Sequence, residues 1–119
     1  MTDARMLLMT HPDCLHHVLT EHAESPDRLR SVMATINASP RLAAITQRLA
    51  TPATDAQLTL AHPLALIEQL QNLEPLTGHI MVDQDTYMSP GTMHAARLAA
   101  GACIEATRAV LTGEADQVF

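Results

Sequence analysis

The sequence predicts an α/β fold that is mostly helical and contains one or two short strands. Several stretches carry apolar residues at helical spacing, and most of them follow a Ser-Pro or His-Pro pair. Only two short apolar runs have the character of buried strands. A lone strand or two leaves sheet edges unpaired, and such edges need partners. We therefore expect residues 1–119 to form the opening part of one α/β domain and not a finished one.

The first predicted strand is the apolar run from Arg5 to Thr10, and the second runs from His79 to Val82. Between them, Thr54-Asp55 begins a turn that carries two leucines, and His62-Pro63 starts a helix with Leu64, Ile67 and Leu70 inside it.

Three Ser-Pro pairs, at 25–26, 39–40 and 89–90, are each expected to open a helix. Ser at the N-cap accepts a hydrogen bond from a free backbone N–H, and Pro at the next position loses nothing by lacking one. Apolar stripes follow the first two pairs, and their residues are Leu29, Val32, Met33 and Ile36 after the first pair and Leu42, Ile45 and Leu49 after the second.

The longest stripe follows the third pair, and Gly113 is placed to end that helix. Arg97 and Gly101 fall on its opposite side. Small residues crowd positions 95–102, which favours close packing against a sheet or a second helix. The apolar stripe consists of Met93, Ala96, Ala100, Cys103, Ile104, Thr107, Val110 and Leu111, so Cys103 is expected to be a core residue.

Composition excludes several function classes. The chain has no Lys, 7 Arg, 13 acidic residues and a net charge of −6. Without Lys there is no Schiff-base chemistry and no Walker-type phosphate loop. The acidic balance, with Tyr87 and Phe119 as the sole aromatic residues, argues against binding of nucleic acid.

The sequence also carries information on cellular location. No apolar run is long enough for a membrane span, so we expect no association with the membrane. Cys14 and Cys103 lie far apart in the sequence and form no C-x-x-C motif, a pattern that fits a reduced, cytoplasmic protein.

Four histidines near the N-terminus are candidates for metal binding: His11, His16, His17 and His22. Asp13, Cys14, Glu21 and Glu24 are interleaved with them. Imidazole, thiolate and carboxylate groups all bind transition metals. The spacing contains no HExxH motif and no cysteine pair, and adjacent histidines point apart. A polar loop is therefore the favoured interpretation, with a small metal-binding protein as an alternative.

Asp83 and Asp85 are two carboxylates separated by one residue. In an extended segment they would face the same side and could act as acid and base or hold a cation. In a loop before a helix they would bond to backbone N–H groups instead. Both interpretations remain open from the spacing. Nearby Tyr87 is expected to be a partly buried ring.

Two segments resemble the histone deacetylase family of class II type. Residues 22–29, HAESPDRL, are similar to its H-P-E-x-P-x-R-L loop, and residues 83–92, DQDTYMSPGT, are similar to its D-x-D-T-x-x-S-P-G-T segment. Residues 95–102 and 111–115 are similar to the helix that follows and to its end. The resemblance covers the chain from about residue 6 to Phe119.

The resemblance implies an arginase–deacetylase type fold and a zinc-dependent hydrolase acting on acetyl-lysine or acetylpolyamine amides. The family's tandem histidines, zinc ligands and catalytic tyrosine have no counterpart in this sequence. Zinc is thus expected in the full-length enzyme and not in this chain alone. We expect an N-terminal fragment that is inactive by itself.

Three positions take family roles by resemblance. Asp85 corresponds to the rim residue that holds the backbone of the acylated substrate. His22 lies in the loop forming one wall of the substrate tunnel, and Arg28 resembles an arginine beside an internal channel. Ala23 stands where the family usually has proline.

An alternative function is a non-catalytic interaction module derived from the same fold. Missing sheet partners would leave an apolar face uncovered, which favours a homo-oligomer. An acetylated amine would be a ligand only where the domain is complete.

Overall fold

The computed structural model describes residues 5–119 and confirms the α/β class. These residues form five strands and four α-helices, with one 3₁₀ helix after the first strand. In chain order the elements are β1 Met6–Thr10, the 3₁₀ helix Pro12–His16, α1 Pro26–Ala38, β2 Thr46–Leu49, α2 Asp55–Leu58, α3 Leu64–Leu73, β3 Ile80–Met81, β4 Tyr87–Met88, α4 Thr92–Leu111 and β5 Gln117–Val118.

Strand β1 is the centre of a three-stranded parallel sheet with the order β2-β1-β5. Leu7 of β1 is paired with Thr46 on one side and with Val118 on the other. The strand is apolar because both of its faces are covered: Leu7, Leu8 and Met9 are all buried. The predicted strand at the N-terminus is therefore confirmed, and the sheet is larger than the one or two strands expected.

Helix α4 packs across this sheet and contributes Ala95, Leu98 and Ala109 to the small core. Ala109 and Ala115 lie against Leu7 and Met9 in one buried cluster. Leu98, about three turns before Ala109 on the same side of the helix, is fully buried. The small residues of α4 let its backbone come close to residues 51–53, after β2. The close packing predicted from positions 95–102 is present, but its partner is an irregular segment and not a sheet or a second helix.

The predicted helices α1 and α3 form where their proline pairs indicate. Ser25 is the extended N-cap residue of α1 and Pro26 its first residue, although the Ser25 hydroxyl makes no capping bond. Helix α3 begins directly after Pro63. The turn predicted at Thr54 is helix α2, where the Thr54 hydroxyl accepts the N–H of Gln57 at 3.2 Å.

The prediction of a helix after Ser39-Pro40 is wrong. Residues 40–44 form turns, and strand β2 follows at Thr46–Leu49. The stripe of Leu42, Ile45 and Leu49 is short, and the segment gains more by pairing with the open edge of β1 than by forming an isolated helix.

The apolar stripe predicted for α4 was placed on the wrong face. Cys103 and Val110 are exposed, whereas Leu98 and Gly101 are buried. The sizes of the side chains decide which face of α4 is buried, because the face toward the sheet needs residues that let the two backbones come close. Gly113 follows the helix with φ +73°, so the predicted stop is confirmed.

Helix α4 also begins two residues later than its Ser-Pro pair predicts. Gly91 is its N-cap residue, with φ +92°. Ser89 is buried instead, and its hydroxyl accepts the N–H of Val18 at 2.9 Å and donates to the carbonyl of His16 at 3.1 Å. The serine thus fastens the loop after the 3₁₀ helix to the start of α4.

Within residues 5–119, no helix combines the length and the hydropathy that crossing a bilayer would require.

Candidate substrate-binding cleft

A cleft of about 230 Å³ lies where the loop after the 3₁₀ helix meets the β3–β4 hairpin and the first turns of α4. Four parts of the chain therefore form its walls. The loop contributes His17, Leu19, His22 and Glu24, helix α3 contributes Leu70, the hairpin contributes Val82, Asp85, Thr86, Tyr87 and Met88, and α4 contributes Thr92, Met93 and Ala96.

The β3–β4 hairpin places Asp85 at this cleft. Ile80 pairs with Met88 in an antiparallel register, and the loop between the strands turns on Asp83. The Asp83 carboxylate accepts the N–H groups of Asp85 at 2.9 Å and of Thr86 at 2.8 Å. These bonds hold the pKa of Asp83 below its ordinary value, and the bond from the Asp85 N–H has the largest effect.

The two carboxylates thus have different roles. Asp83 shapes the loop, as the backbone-bonding interpretation of the sequence predicted for this pair. The side chain of Asp85 is exposed and lines the cleft, and among residues 5–119 it has no hydrogen-bond or salt-bridge partner.

His22 stands on the loop side of the same cleft. Its ring meets the ring of Tyr87 edge-on, with centroids 5.5 Å apart and planes at 65°. Its Nδ1 accepts the N–H of Glu24 at 3.1 Å. His79 contacts Tyr87 from another side at 5.8 Å. The tyrosine ring is half-buried, as expected, and it connects the hairpin to the loop.

Further contacts hold the loop against α4. The Nδ1 atom of His17 is 2.8 Å from the Thr92 hydroxyl. The Glu74 carboxylate, at the end of α3, accepts the N–H of Met93 at 2.7 Å and thereby satisfies a free donor in the first turn of α4. Nothing in the spacing of the sequence indicates this role for Glu74.

Arg28 does not lie at the cleft. It is exposed in the first turn of α1, beside the ion pair of Asp27 with Arg30 at 2.7 Å. The structure therefore brings His22 and Asp85 together and leaves Arg28 elsewhere, so the role of Arg28 beside a channel stays a prediction.

The four N-terminal histidines do not form one site. His17 and His22 face the cleft, whereas His11 and His16 lie near Asp13, at 3.7 and 4.0 Å. His94 of α4 approaches the same carboxylate more closely, at 3.1 Å, and the sequence pattern gave no indication of it.

Comparison with known proteins identifies the family. The family model of the histone deacetylase domain matches residues 22–119. The chain belongs to the histone deacetylase family. The match includes both cleft segments, the loop from His22 and the hairpin that carries Asp85.

Curated relatives agree with this assignment. The chain is 38% identical over 98 residues to the histone deacetylase-like amidohydrolase of Pseudomonas aeruginosa, 82% of this chain and 26% of that protein. It is 30% identical over 94 residues to histone deacetylase 8 of Arabidopsis thaliana, and this match covers 79% of the chain and 25% of the relative. It is 32% identical over 119 residues to the mouse polyamine deacetylase HDAC10, with 92% of the chain and 16% of the relative covered.

A solved structure supports the fold in detail. The crystal structure of the HDA15 HD domain superposes with a TM-score of 0.83 at 26% identity, over 98% of this chain and 34% of that one. The chain thus spans about a quarter or less of the length of these curated relatives and a third of this structural neighbour.

The family's zinc does not fit the side chains that the structure describes. Between Arg5 and Phe119, no group of three or more His, Cys, Asp or Glu side chains is placed to share a metal ion. A catalytic zinc site needs three protein ligands and an open position. The cleft described above offers a wall and a rim, and the metal-binding donors of a complete site would have to come from other residues.

Proposed function

We propose that this chain is the N-terminal part of a zinc-dependent, deacetylase-like amidohydrolase and supplies one wall and the rim of its substrate cleft. The observation that carries the proposal is the convergence of His22 and Asp85, distant in the sequence, on one cleft. Both are positions at which the family resemblance predicts contacts with substrate. The zinc, and the water that it would activate, belong to the remainder of the domain.

The chemistry of the rim follows from its geometry. The Asp85 carboxylate is an acceptor without an internal partner among the described residues, held on a loop whose shape Asp83 fixes. A backbone or amine N–H of an acylated substrate would donate to it, and hydrogen bonds to a charged acceptor are stronger than neutral ones. His22, braced by Tyr87, supports the apolar chain of the substrate on the facing wall.

The proposal is tested on the natural polypeptide, purified from the cell that makes it. Its intact mass is measured first, and a mass well above 12.9 kDa is expected if further residues complete the domain. In that protein Asp85→Ala should lower kcat/KM for an acetylated amine by about ten- to a hundredfold, the range for a lost hydrogen bond to a charged group.

Glu68→Ala is the matched control, since Glu68 is an exposed carboxylate of α3 that does not line the cleft. Unchanged kcat/KM in Asp85→Ala would contradict the rim role. Stoichiometric zinc binding and acetyl-amide hydrolysis by residues 1–119 alone would contradict the assignment of the chemistry to the remainder of the domain.

A second candidate function is a non-catalytic module that oligomerises through an uncovered apolar face. It is favoured by a groove of about 380 Å³ between β1, α1 and the segment before β2. Phe119, at the groove, is 65% exposed. The apolar lining of the groove consists of Met6, Leu8, Val32, Ile36, Leu42, Ile45 and Phe119.

Sedimentation of the 119-residue chain tests this candidate. A second copy seated on the groove would give a dimer that Val32→Glu dissociates. Leu76→Glu, at an exposed leucine outside the groove, should leave the dimer intact. A folded monomer at all concentrations would remove this candidate.

A cytoplasmic location is also part of the proposal. It is supported by the two cysteines, which are not joined in the structure: Cys14 is half-buried and Cys103 is exposed. Reduced, separate thiols are typical of intracellular proteins.

A further inference from the structure

We propose that His17 is a positioning residue of the cleft: its ring donates a hydrogen bond from Nδ1 to the Thr92 hydroxyl and so closes a network that fixes the position of His22. The inference rests on the proposed function, because that function gives His22 its contact with substrate. It goes further by assigning a hydrogen to one ring nitrogen and by giving His17, which the proposed function does not use, an effect on substrate binding.

Two hydroxyl groups and one imidazole meet between the loop and the start of α4. The Thr92 hydroxyl accepts the backbone N–H of Ser89 at 2.8 Å and lies 2.8 Å from Nδ1 of His17. The Ser89 hydroxyl accepts the N–H of Val18 and donates to the carbonyl of His16. The two hydroxyl oxygens are 3.3 Å apart. One continuous set of hydrogen bonds therefore joins the loop to the helix.

The hydroxyl hydrogens decide the direction of each bond in this network. Ser89 has a single hydroxyl hydrogen, and the carbonyl of His16 accepts it. The hydrogen between the two hydroxyl oxygens therefore comes from Thr92. Thr92 has no second hydrogen for the ring, so Nδ1 of His17 carries the hydrogen of that contact and donates it. Each hydroxyl then donates once and has a donor for both of its lone pairs.

The other neutral tautomer would leave two oxygen atoms facing each other without a hydrogen between them. With its hydrogen on Nε2, the ring of His17 could only accept at Nδ1, and the Thr92 hydroxyl would turn to it. The Thr92 and Ser89 oxygens would remain 3.3 Å apart, although Ser89 is only 4% exposed. Hydrogen-bonding groups left unsatisfied away from water are costly. The network therefore favours hydrogen on Nδ1.

This network also fixes one end of a strained segment of the loop. Between His17 and His22, Glu21 has φ +62°, a left-handed conformation that is unfavourable for a residue with a side chain. Such a conformation persists only where the surrounding structure holds it. His17 holds one end of the segment on α4, and the edge contact of His22 with Tyr87 holds the other. Loss of the bond from His17 would let the segment relax and draw His22 away from the cleft.

The tautomer of His17 provides the first test. The natural polypeptide is labelled with ¹⁵N-histidine, and NMR identifies which ring nitrogen of His17 carries the hydrogen at a pH where the ring is neutral. We expect the hydrogen on Nδ1. A hydrogen on Nε2 would overturn the network, whatever the activity of the protein.

Substitutions at residue 17 separate the Nδ1 bond from the rest of the ring. An asparagine amide nitrogen can take the place of Nδ1, whereas a glutamine amide nitrogen takes that of Nε2. His17→Ala and His17→Gln should raise KM for an acetyl-lysine peptide by about two- to tenfold, the range for one hydrogen bond, with kcat unchanged. His17→Asn should restore most of the affinity. His62→Ala, at an exposed histidine outside the cleft, should change neither constant.

A double variant tests whether His17 acts through Thr92. Thr92→Val keeps the shape of the side chain and removes its hydroxyl. If the two residues act through one bond, KM of the double variant with His17→Ala should be no higher than that of the weaker-binding single variant. Effects on KM that multiply in the double variant would overturn the proposed path.

The outcomes separate this inference from the function on which it rests. A natural polypeptide that hydrolyses no acetylated amine overturns the proposed function. The network is then still tested by the ring resonances of His22, which His17→Ala should shift and His17→Asn should not. Unmoved resonances, an unchanged KM in His17→Ala, or an equal rise of KM in His17→Asn would each overturn the positioning role. Circular dichroism of each variant checks that it is folded.

Discussion

Among single residues, Asp83 offers the sharpest prediction. Its carboxylate accepts the N–H groups of Asp85 and Thr86, which lowers its pKa. A lowered carboxyl pKa means that the loop is stabilised at a pH above the ordinary Asp value and that this stabilisation is lost as the pH falls through the lowered one. A carboxyl-carbon NMR titration should therefore show Asp83 titrating at a lower pH than an ordinary aspartate. The Asp85 amide should shift in the same step, whereas a pKa of Asp83 at or above the ordinary value would contradict the loop geometry.

The cleft could be predicted from sequence only in part, and the reason lies in individual residues. The resemblance singled out His22 and Asp85, and the structure places both on one cleft. Spacing alone left Asp83 and Asp85 equivalent, because their difference depends on how β3 and β4 pair. Glu24 was noted only as a member of a histidine-rich group, since nothing in the sequence shows that the ring of His22 takes its amide hydrogen.

At the scale of elements, the close approach of α4 to the segment after β2 can be tested by substitution. A Cβ added at Gly101 would lie 1.7 Å from the carbonyl oxygen of Thr51, a backbone atom that cannot swing away. Gly101→Ala should therefore destabilise the protein by about 1–3 kcal/mol despite the better helix propensity of alanine. The reverse change at the exposed Ala99, Ala99→Gly, should cost about 1 kcal/mol or less from propensity alone. Chemical denaturation measures both, and a stabilised Gly101→Ala would contradict the packing described.

The elements that sequence analysis predicted are those with local signals. Helices α1 and α3 and strand β1 carry their own periodicity and proline positions. Strand β2 was mistaken for a helix because its conformation is imposed by β1, to which it pairs residue by residue from Leu7 onward. Strand β5 has only two residues, too few for any pattern. The buried face of α4 depends on how closely the sheet approaches, which apolar spacing does not describe.

At the scale of the whole molecule, two ion pairs connect distant parts of the chain, Arg5 with Asp116 and Arg48 with Glu114. The arginine hydrogen bond is the main cause of the lowered pKa in each carboxyl group. Both pairs are exposed, so their effect is small and sensitive to salt. Their stabilisation is present above the ordinary carboxyl pKa and is lost as the pH falls through the lowered pKa values of the folded protein. Tm should thus fall in acid, and the double variant Asp116→Asn with Glu114→Gln should show a shallower fall; an equally steep fall would contradict the role of these pairs.

The central position of β1 has a consequence for the order of synthesis. Arg5, beside this strand, and its partner Asp116 are 111 positions apart, and β5 follows directly after Asp116. The ribosome therefore releases β1 about a hundred residues before β5, the strand that pairs with its second edge. Until β5 is synthesised, the apolar strand β1 has one unpaired hydrogen-bonding edge, and such an edge is prone to pairing with other chains. Nascent chains stalled before residue 117 should consequently recruit chaperones, and release of the chaperone should coincide with the appearance of β5.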